Sequence, residues 1–180
     1  FLNDTGAIFN DTQTTGHAIS NPFGGTFVFT NKGTYNRTST GTSLMNTTFN
    51  NEGTVNVTNG TLKFGGGGTM TSAGSINASS GTEVHFTDDY TVDNALSLTG
   101  LGDYHHTGGT FSVNGILGVG SFTQTGGTFA GSNTISPTFN WNGGKWDTAS
   151  TGPTTSISST GILNINLGNS HDMQKRVVSN

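Results

Sequence analysis

Asp103, His105 and His106 lie within the segment GDYHHTGG at 102–109. Carboxylate oxygens and imidazole nitrogens bind divalent metals, and histidine is the commonest ligand of all. Two neighbouring histidines with no further ligand in view are weak support for a metal site. We therefore expect one imidazole to pack inside a corner of the chain and the other to be exposed. The same interpretation applies to His171 and Asp172, and we predict no metal site.

A second acidic feature is the pair Asp88–Asp89 in the segment FTDDYTV. Glycoside hydrolysis uses two carboxyl groups about 5–9 Å apart. Adjacent residues of a strand point to opposite faces, so both carboxylates can reach one ligand only from a turn. We expect a solvated loop between Phe86 and Tyr90. The sequence also has no Walker loop, HExxH or GxSxG motif, so we predict no catalytic or cofactor-binding residue.

Trp141 and Trp146 are the only two tryptophans and stand five residues apart in the segment FNWNGGKW. Exposed together, they would form a platform for sugar rings and thus a carbohydrate contact. Buried, they would fill a wide part of the core, and the alternation from Phe139 to Trp141 favours burial. Both interpretations remain open at this level.

The composition limits the kind of fold that could position such residues. Hydrophobic residues make up 29% and charged residues 9% of the 180 residues, and the net charge is only −4. Glycine accounts for 29 of the 180 residues, about 16%, which is roughly twice the usual ~7%. Such a chain fills only a thin core. Cysteine is absent, no apolar run is long enough to span a membrane, and the few scattered cations argue against nucleic-acid binding.

A short unit recurs along the chain: Gly, a small residue, then alternating apolar and polar residues, as in GTVNV at 53. Gly33 and Gly53 are 20 residues apart, Gly53 and Gly74 are 21 apart, and Gly81 and Gly102 are 21 apart. Alternation with period two predicts strands with one buried face. The predicted core residues are Phe29, Phe49, Val55, Val57, Leu62, Phe64, Ile76, Val84, Phe86, Phe111, Val113, Leu163 and Ile165.

The dipeptide Asn59–Gly60 stands between two such runs, and Asn-Gly is the strongest short-range signal for a β-hairpin. A sandwich or barrel of hairpins is therefore the alternative fold. The strands are short for a sandwich, however, and a constant phase of about 20 residues is typical of a β-solenoid. We predict an all-β parallel solenoid over residues 1–180 as one domain, with about 20 residues per coil and roughly nine coils.

The segments FNNEGTVNVTNGTLKF, SAGSINASSGTEVHF, LTGLGDYHHTGGTFSVNG and NWNGGKWDTASTG resemble repeat regions of large bacterial surface proteins. These are passenger regions of the autotransporter-adhesin and filamentous-haemagglutinin type. The resemblance implies a right-handed parallel β-helix, export to the cell surface or beyond, and a role as stalk, adhesin or fibre subunit. It brings no catalytic residues, because the family has no universal catalytic motif.

We therefore expect a non-catalytic structural or adhesive module, without cofactors, that is a segment of a longer repeat protein or a fibre subunit. Its expected partners are neighbouring coils, identical subunits joined end to end, and surface glycans or matrix. Binding to nucleic acid and insertion of this segment into a membrane are not expected. The alternative function is a carbohydrate-binding or polysaccharide-degrading β-helix.

Overall fold

The computed structural model describes residues 1–93, 98–136, 138–146, 152–166 and 171–180. In these ranges the chain forms short β-strands, most with every second side chain buried. Their bounds are β1 Leu2–Asn3, β2 Ile8–Asp11, β3 Thr15–Ser20, β4 Val28–Asn31, β5 Thr34–Arg37, β6 Thr42–Asn46, β7 Thr48–Asn51, β8 Thr54–Val57, β9 Thr61–Phe64, β10 Gly68–Met70, β11 Ser75–Ala78, β12 Glu83–Phe86, β13 Tyr90–Val92, β14 Leu98–Gly100, β15 Asp103–His106, β16 Thr110–Val113, β17 Gly115–Leu117, β18 Ser121–Gln124, β19 Thr128–Ala130, β20 Asn133–Ile135, β21 Thr138–Trp141, β22 Gly144–Trp146, β23 Thr154–Ile157, β24 Ile162–Ile165, β25 His171–Met173 and β26 Val177–Ser179.

Each strand pairs in parallel with the strand three places away along the chain, so three strands make one coil. The first strands of the coils form a nine-stranded sheet, sheet A, and the third strands form an eight-stranded sheet, sheet C. The second strands form the five-stranded sheet B, which ends at β14, and the four-stranded sheet D, which starts at β17. This arrangement confirms the predicted all-β parallel solenoid.

The coils are regular in the middle of the stack and longer at both ends. From Phe29 to Trp146, residues in register on neighbouring strands of sheet A are 17 to 22 positions apart. The offset is 28 between Leu2 and Thr30 and 27 between Trp146 and Met173. The stack therefore has about seven regular turns, fewer than the nine predicted.

One continuous core runs along the inside of the coils. The predicted stacking is present, since Phe29 pairs with Phe49 and Val55 lies between Tyr35 and Ile76. Of the predicted core residues, all up to Val113 are buried. Leu163 is only half-buried and Ile165 is 58% exposed. The prediction for Ile165 is wrong because β24 is the outermost strand of sheet C, so no described coil covers its side chain.

Asn59–Gly60 is a corner between two sheets and not the tip of a hairpin. The strand before it, β8, belongs to sheet B, and the strand after it, β9, belongs to sheet C. Gly60 has a φ of +65°, which side chains with a Cβ atom disfavour. Its backbone carbonyl accepts a hydrogen bond from the Glu83 amide of the next coil, so a hydrogen bond connects this corner to the neighbouring coil.

A buried polar cluster joins the first coils. The Arg37 guanidinium lies 3.6 Å from the Asp11 carboxylate, and both side chains are fully buried. Arg37 also donates to backbone carbonyls of Gln13, Thr40 and Gly41, and the Tyr35 hydroxyl donates to Asp11 at 2.7 Å. Burial, and next the negative charge of Asp11, raise the pKa of Tyr35, so Tyr35 keeps its proton and remains a donor.

Candidate functional site

The outer faces of the coils carry mostly short polar side chains in register. On sheet B, Asn36 donates to Asn10 and Asn56 donates to Asn36, each over 3.1 Å. On sheet A the outward positions around Asn50 are threonines, and Asn50 accepts a hydrogen bond from the Thr69 hydroxyl at 3.0 Å. Such ladders place hydrogen-bonding groups on the outer faces of sheets A and B.

The outer face of sheet C departs from this pattern at two neighbouring coils. In β12 and β15, Glu83 pairs in register with Asp103 and His85 with His105. Residues two positions apart on a strand share a face, so these four side chains form a two-by-two array. We call Glu83, His85, Asp103 and His105 the histidine–carboxylate array.

The array is compact and accessible to solvent. His85 Nε2 donates to Glu83 Oε2 over 2.9 Å, and the His85 and His105 rings lie 4.5 Å apart. One possible ligand atom from each of Glu83, His85 and His105 lies within 4.8 Å of the others. The Glu83 side chain is 47% exposed and that of His85 is 16% exposed, so an ion can reach both.

The charges of the array favour a neutral imidazole beside a carboxylate anion. Burial lowers the pKa of His85, and the hydrogen bond to Glu83 opposes this effect. The hydrogen bond from His85 lowers the pKa of Glu83, and partial burial opposes it. At neutral pH, His85 is thus uncharged and Glu83 is ionised, which are the forms that bind metals.

His106 points to the opposite side of β15 and is fully buried in the core. Its Nε2 donates to the Gly108 carbonyl at 2.9 Å, whereas its Nδ1 has no hydrogen-bond partner. Gln124 occupies the same position one coil on and donates to the Gly126 and Gly127 carbonyls. The structure thus places one of the two neighbouring histidines inside a corner and leaves His105 outside.

His106 should make the fold sensitive to acid. Burial lowers the pKa of His106, although its bonds to Gly108 and Gly109 carbonyls oppose this. The unfolded chain, with an ordinary histidine pKa near ~6.5, then binds more protons than the folded chain. The contribution of His106 to the free energy of unfolding should therefore fall as the pH drops below about 6.5, by at most ~1.4 kcal/mol per pH unit, and should not change above about pH 7.

The variant His106→Gln tests this expectation, because glutamine is the residue that the next coil uses at the same corner. Urea unfolding followed at pH 7.5 and pH 5.5 should show a smaller acid loss in His106→Gln than in the wild type. His85 is present in both chains, so its own contribution cancels. An equal acid loss in the two chains would contradict a role for His106.

The other residues considered from the sequence lie apart from the array. Asp88 and Asp89 are exposed in the turn between β12 and β13, where Asp89 accepts the Thr110 amide at 2.6 Å. His171 donates from Nε2 to the Trp141 carbonyl at 2.9 Å, and Asp172 accepts from the Gln174 side chain. These contacts give Asp89, His171 and Asp172 structural roles.

The tryptophan pair lies in the core. Trp141 is 2% and Trp146 0% exposed, and their rings stack with centroids 4.6 Å apart. Trp146 also donates from its indole nitrogen to Gln124 at 2.8 Å. Neither ring is available to a sugar at the surface, so the interpretation favoured by the alternation, burial in the core, is confirmed, and the alternative of a carbohydrate contact at Trp141 and Trp146 is not supported.

Sequence reasoning did not select Glu83 and His85, although both belong to the array. The segment GTEVHF at 81–86 stands out in the sequence only as a repeat unit. In the structure, the register offset of 20 between β12 and β15 places His85 beside His105 and Glu83 beside Asp103, an offset that differs by one residue from the spacing of Gly81 and Gly102. The pair Glu83 and His85 and the pair Asp103 and His105 are each weak evidence for a site, but the two pairs lie side by side on neighbouring coils.

No family model, curated protein or solved structure matches the chain. Among the described residues, none belongs to a helix of the length and apolar character that a membrane span requires.

Proposed function

We propose that the chain is a non-catalytic structural or adhesive module of an exported bacterial surface protein, acting as a stalk segment, adhesin or fibre subunit. The observation that supports this most is the division of side chains between inside and outside. Large apolar residues fill the coils, while the sheets present repeated polar ladders. The resemblance to passenger regions of surface proteins favours the same role.

As a spacer, the module would hold its neighbours at a fixed distance. Nine parallel strands of sheet A, at ~4.8 Å per step, correspond to about 40 Å along the axis. Because sheets A and C connect each coil to the next by hydrogen bonds along the whole stack, bending requires many hydrogen bonds to distort together. Stiffness then follows from the parallel pairing itself.

As an adhesin, the module would act through many weak contacts. Short hydroxyl and amide side chains recur at the same position of successive coils, so a repetitive partner such as a glycan meets the same group every ~4.8 Å. Contacts of this kind gain strength from multivalency and not from one pocket.

The test uses beads coated with the purified chain on a panel of polysaccharides and matrix proteins. An adhesin gives retention that rises steeply with coating density and is lost when the chain is heat-denatured on the bead. Retention on none of the surfaces favours the spacer role. Release of reducing sugars from any polysaccharide by the folded chain would contradict a non-catalytic module.

Burial of both tryptophans removes the observation that favoured a carbohydrate-binding or polysaccharide-degrading β-helix, and gives a further prediction. Native fluorescence should be quenched only weakly by acrylamide, and oligosaccharides should leave it unchanged. Unfolding in urea should increase the quenching several-fold, which serves as the internal control. Strong quenching of the native protein would place Trp141 or Trp146 at the surface.

A further inference from the structure

We propose that the histidine–carboxylate array of Glu83, His85, Asp103 and His105 is a site for a divalent transition-metal ion of the zinc class, bridging two successive coils. This inference is independent of the proposed stalk or adhesin role. It rests on the arrangement of four side chains on the outer face of sheet C.

The first support is the donor set. Two imidazoles and a carboxylate bind zinc in many proteins, with a water or a fourth protein ligand completing a tetrahedron. Here His85 and His105 supply the imidazoles and Glu83 the carboxylate. Asp103 lies in register with Glu83 on the same face, but only Glu83, His85 and His105 already offer ligand atoms within 4.8 Å of one another, so the fourth position would be taken by a water or by Asp103 after its side chain has rotated.

The second support is distance. Tetrahedral zinc with bonds of ~2.0–2.1 Å holds its ligand atoms about 3.3 Å apart. The potential ligand atoms of Glu83, His85 and His105 already lie within 4.8 Å of one another, and the ion would replace the proton that His85 Nε2 shares with Glu83 Oε2 over 2.9 Å. The three residues project from two strands that are hydrogen-bonded neighbours, so we expect side-chain rotations to close this gap without movement of the strands.

The third support is that the array is local and not part of the general repeat. On the coil before it, the matching positions hold Thr61 and Lys63. On the coil after it, they hold Ser121 and Thr123. Histidine and carboxylate side chains thus occupy the two matching outward positions of both β12 and β15. None occupies these positions in the neighbouring strands β9 and β18 of sheet C.

The fourth support is electrostatic. Glu83 and Asp103 stand in register, and like charges directly opposite each other destabilise a strand pair. A divalent cation between the coils would neutralise that repulsion. Lys63 is in register with His85 and is the charged residue of the neighbouring strand β9. Its positive charge would oppose the binding of a cation.

A metal at this position would act as a clamp. It would connect β12 to β15 through side chains, in addition to the backbone ladder. Since it binds the folded chain and not the unfolded one, it would raise the thermal stability as the concentration of free metal rises. Imidazole ligands favour zinc, cobalt, nickel or copper, whereas magnesium prefers oxygen ligands.

The experiment titrates the purified chain with cobalt chloride, followed by visible absorption, and with zinc chloride, followed by calorimetry. We expect one equivalent of either ion to bind, an absorption band of tetrahedral cobalt, displacement of cobalt by zinc, and a rise of several degrees in the melting temperature. Magnesium chloride should produce none of these effects.

Two variants decide whether the array is the site. His105→Ala should weaken zinc binding at least ~10-fold, because even the loss of a group that only supports a ligand costs ~10–100-fold. His17→Ala removes an exposed histidine of β3 in the same sheet and should leave binding unchanged. Circular dichroism of both variants reports whether the fold persists. Absence of zinc binding in the wild type, or equal binding in His105→Ala and wild type, would overturn the site.

Discussion

Replacing Gly60 with alanine should destabilise the protein by about 3 kcal/mol. The residue has a φ of +65°, which costs a residue with a Cβ atom ~1–2 kcal/mol. The new methyl group would also lie 2.4 Å from the Gly41 carbonyl oxygen and 2.6 Å from that of Ser39. Backbone of the previous coil must then move, and overpacking of this kind costs ~1–3 kcal/mol more.

Gly81→Ala is the matched control for Gly60→Ala. Gly81 lies at the corresponding corner of the next coil and also has a positive φ, of +79°, but no atom lies within 4 Å of the place that its new methyl group would occupy. Its loss should be limited to the backbone cost of ~1–2 kcal/mol. Urea unfolding monitored by circular dichroism measures both. Equal losses at the two corners would show that the coils are not tightly stacked at Gly60.

Asp11→Ala should be the most damaging change of a polar side chain, with a loss of ~3–5 kcal/mol. It leaves the Arg37 guanidinium fully buried without its carboxylate partner and removes the acceptor of the Tyr35 hydroxyl. Tyr35→Phe deletes only the hydrogen bond and should cost about 1 kcal/mol. Urea unfolding gives the free energy of unfolding of each variant.

The double variant Asp11→Ala, Arg37→Met separates the buried charge from simple loss of contacts. With the cation removed, no uncompensated charge is left in the core, and a buried pair replaced by apolar groups is often close to neutral. We expect it to be more stable than Asp11→Ala alone. A double variant less stable than Asp11→Ala would mean that Arg37 acts mainly through its bonds to the Gln13, Thr40 and Gly41 carbonyls.

The fold could be predicted because stacking imposes a rule on the sequence. When one coil lies on the next, like positions must be compatible in size and polarity, and this produces the phase that relates Phe29 to Phe49. The Asn59–Gly60 dipeptide was ambiguous locally, since corners and hairpin tips both require a residue at positive φ. The period decided in favour of a corner.

The ends of the stack could not be predicted in the same way. The offset of 28 between Leu2 and Thr30 includes the connection 21–27 between β3 and β4, which is much longer than the single residue between β6 and β7. Ile165 has the alternation of an inward residue and does lie in register with the buried Trp141. Whether it is covered depends on a further coil, which its own strand does not specify.

The array illustrates why site residues were harder to find than strands. Gly81 and Gly102 are 21 residues apart, and that offset would place His85 beside His106. The actual register between the strands is 20, which places His85 beside His105 on the outer face. A difference of one residue exchanges the inner and outer faces of a strand, so the glycine spacing alone was insufficient to bring the ligands together.

The most direct test of the stacked-coil architecture measures distances along the rod with paired spin labels. The chain has no cysteine, so pairs can be introduced at Thr30 with Thr91, Ser112 or Ala130, which follow one another in register along sheet A. We expect distances of about 14, 19 and 24 Å, increasing by ~4.8 Å per coil. Distances that fail to increase in equal steps from coil to coil would contradict the solenoid and the rod-like function proposed for it.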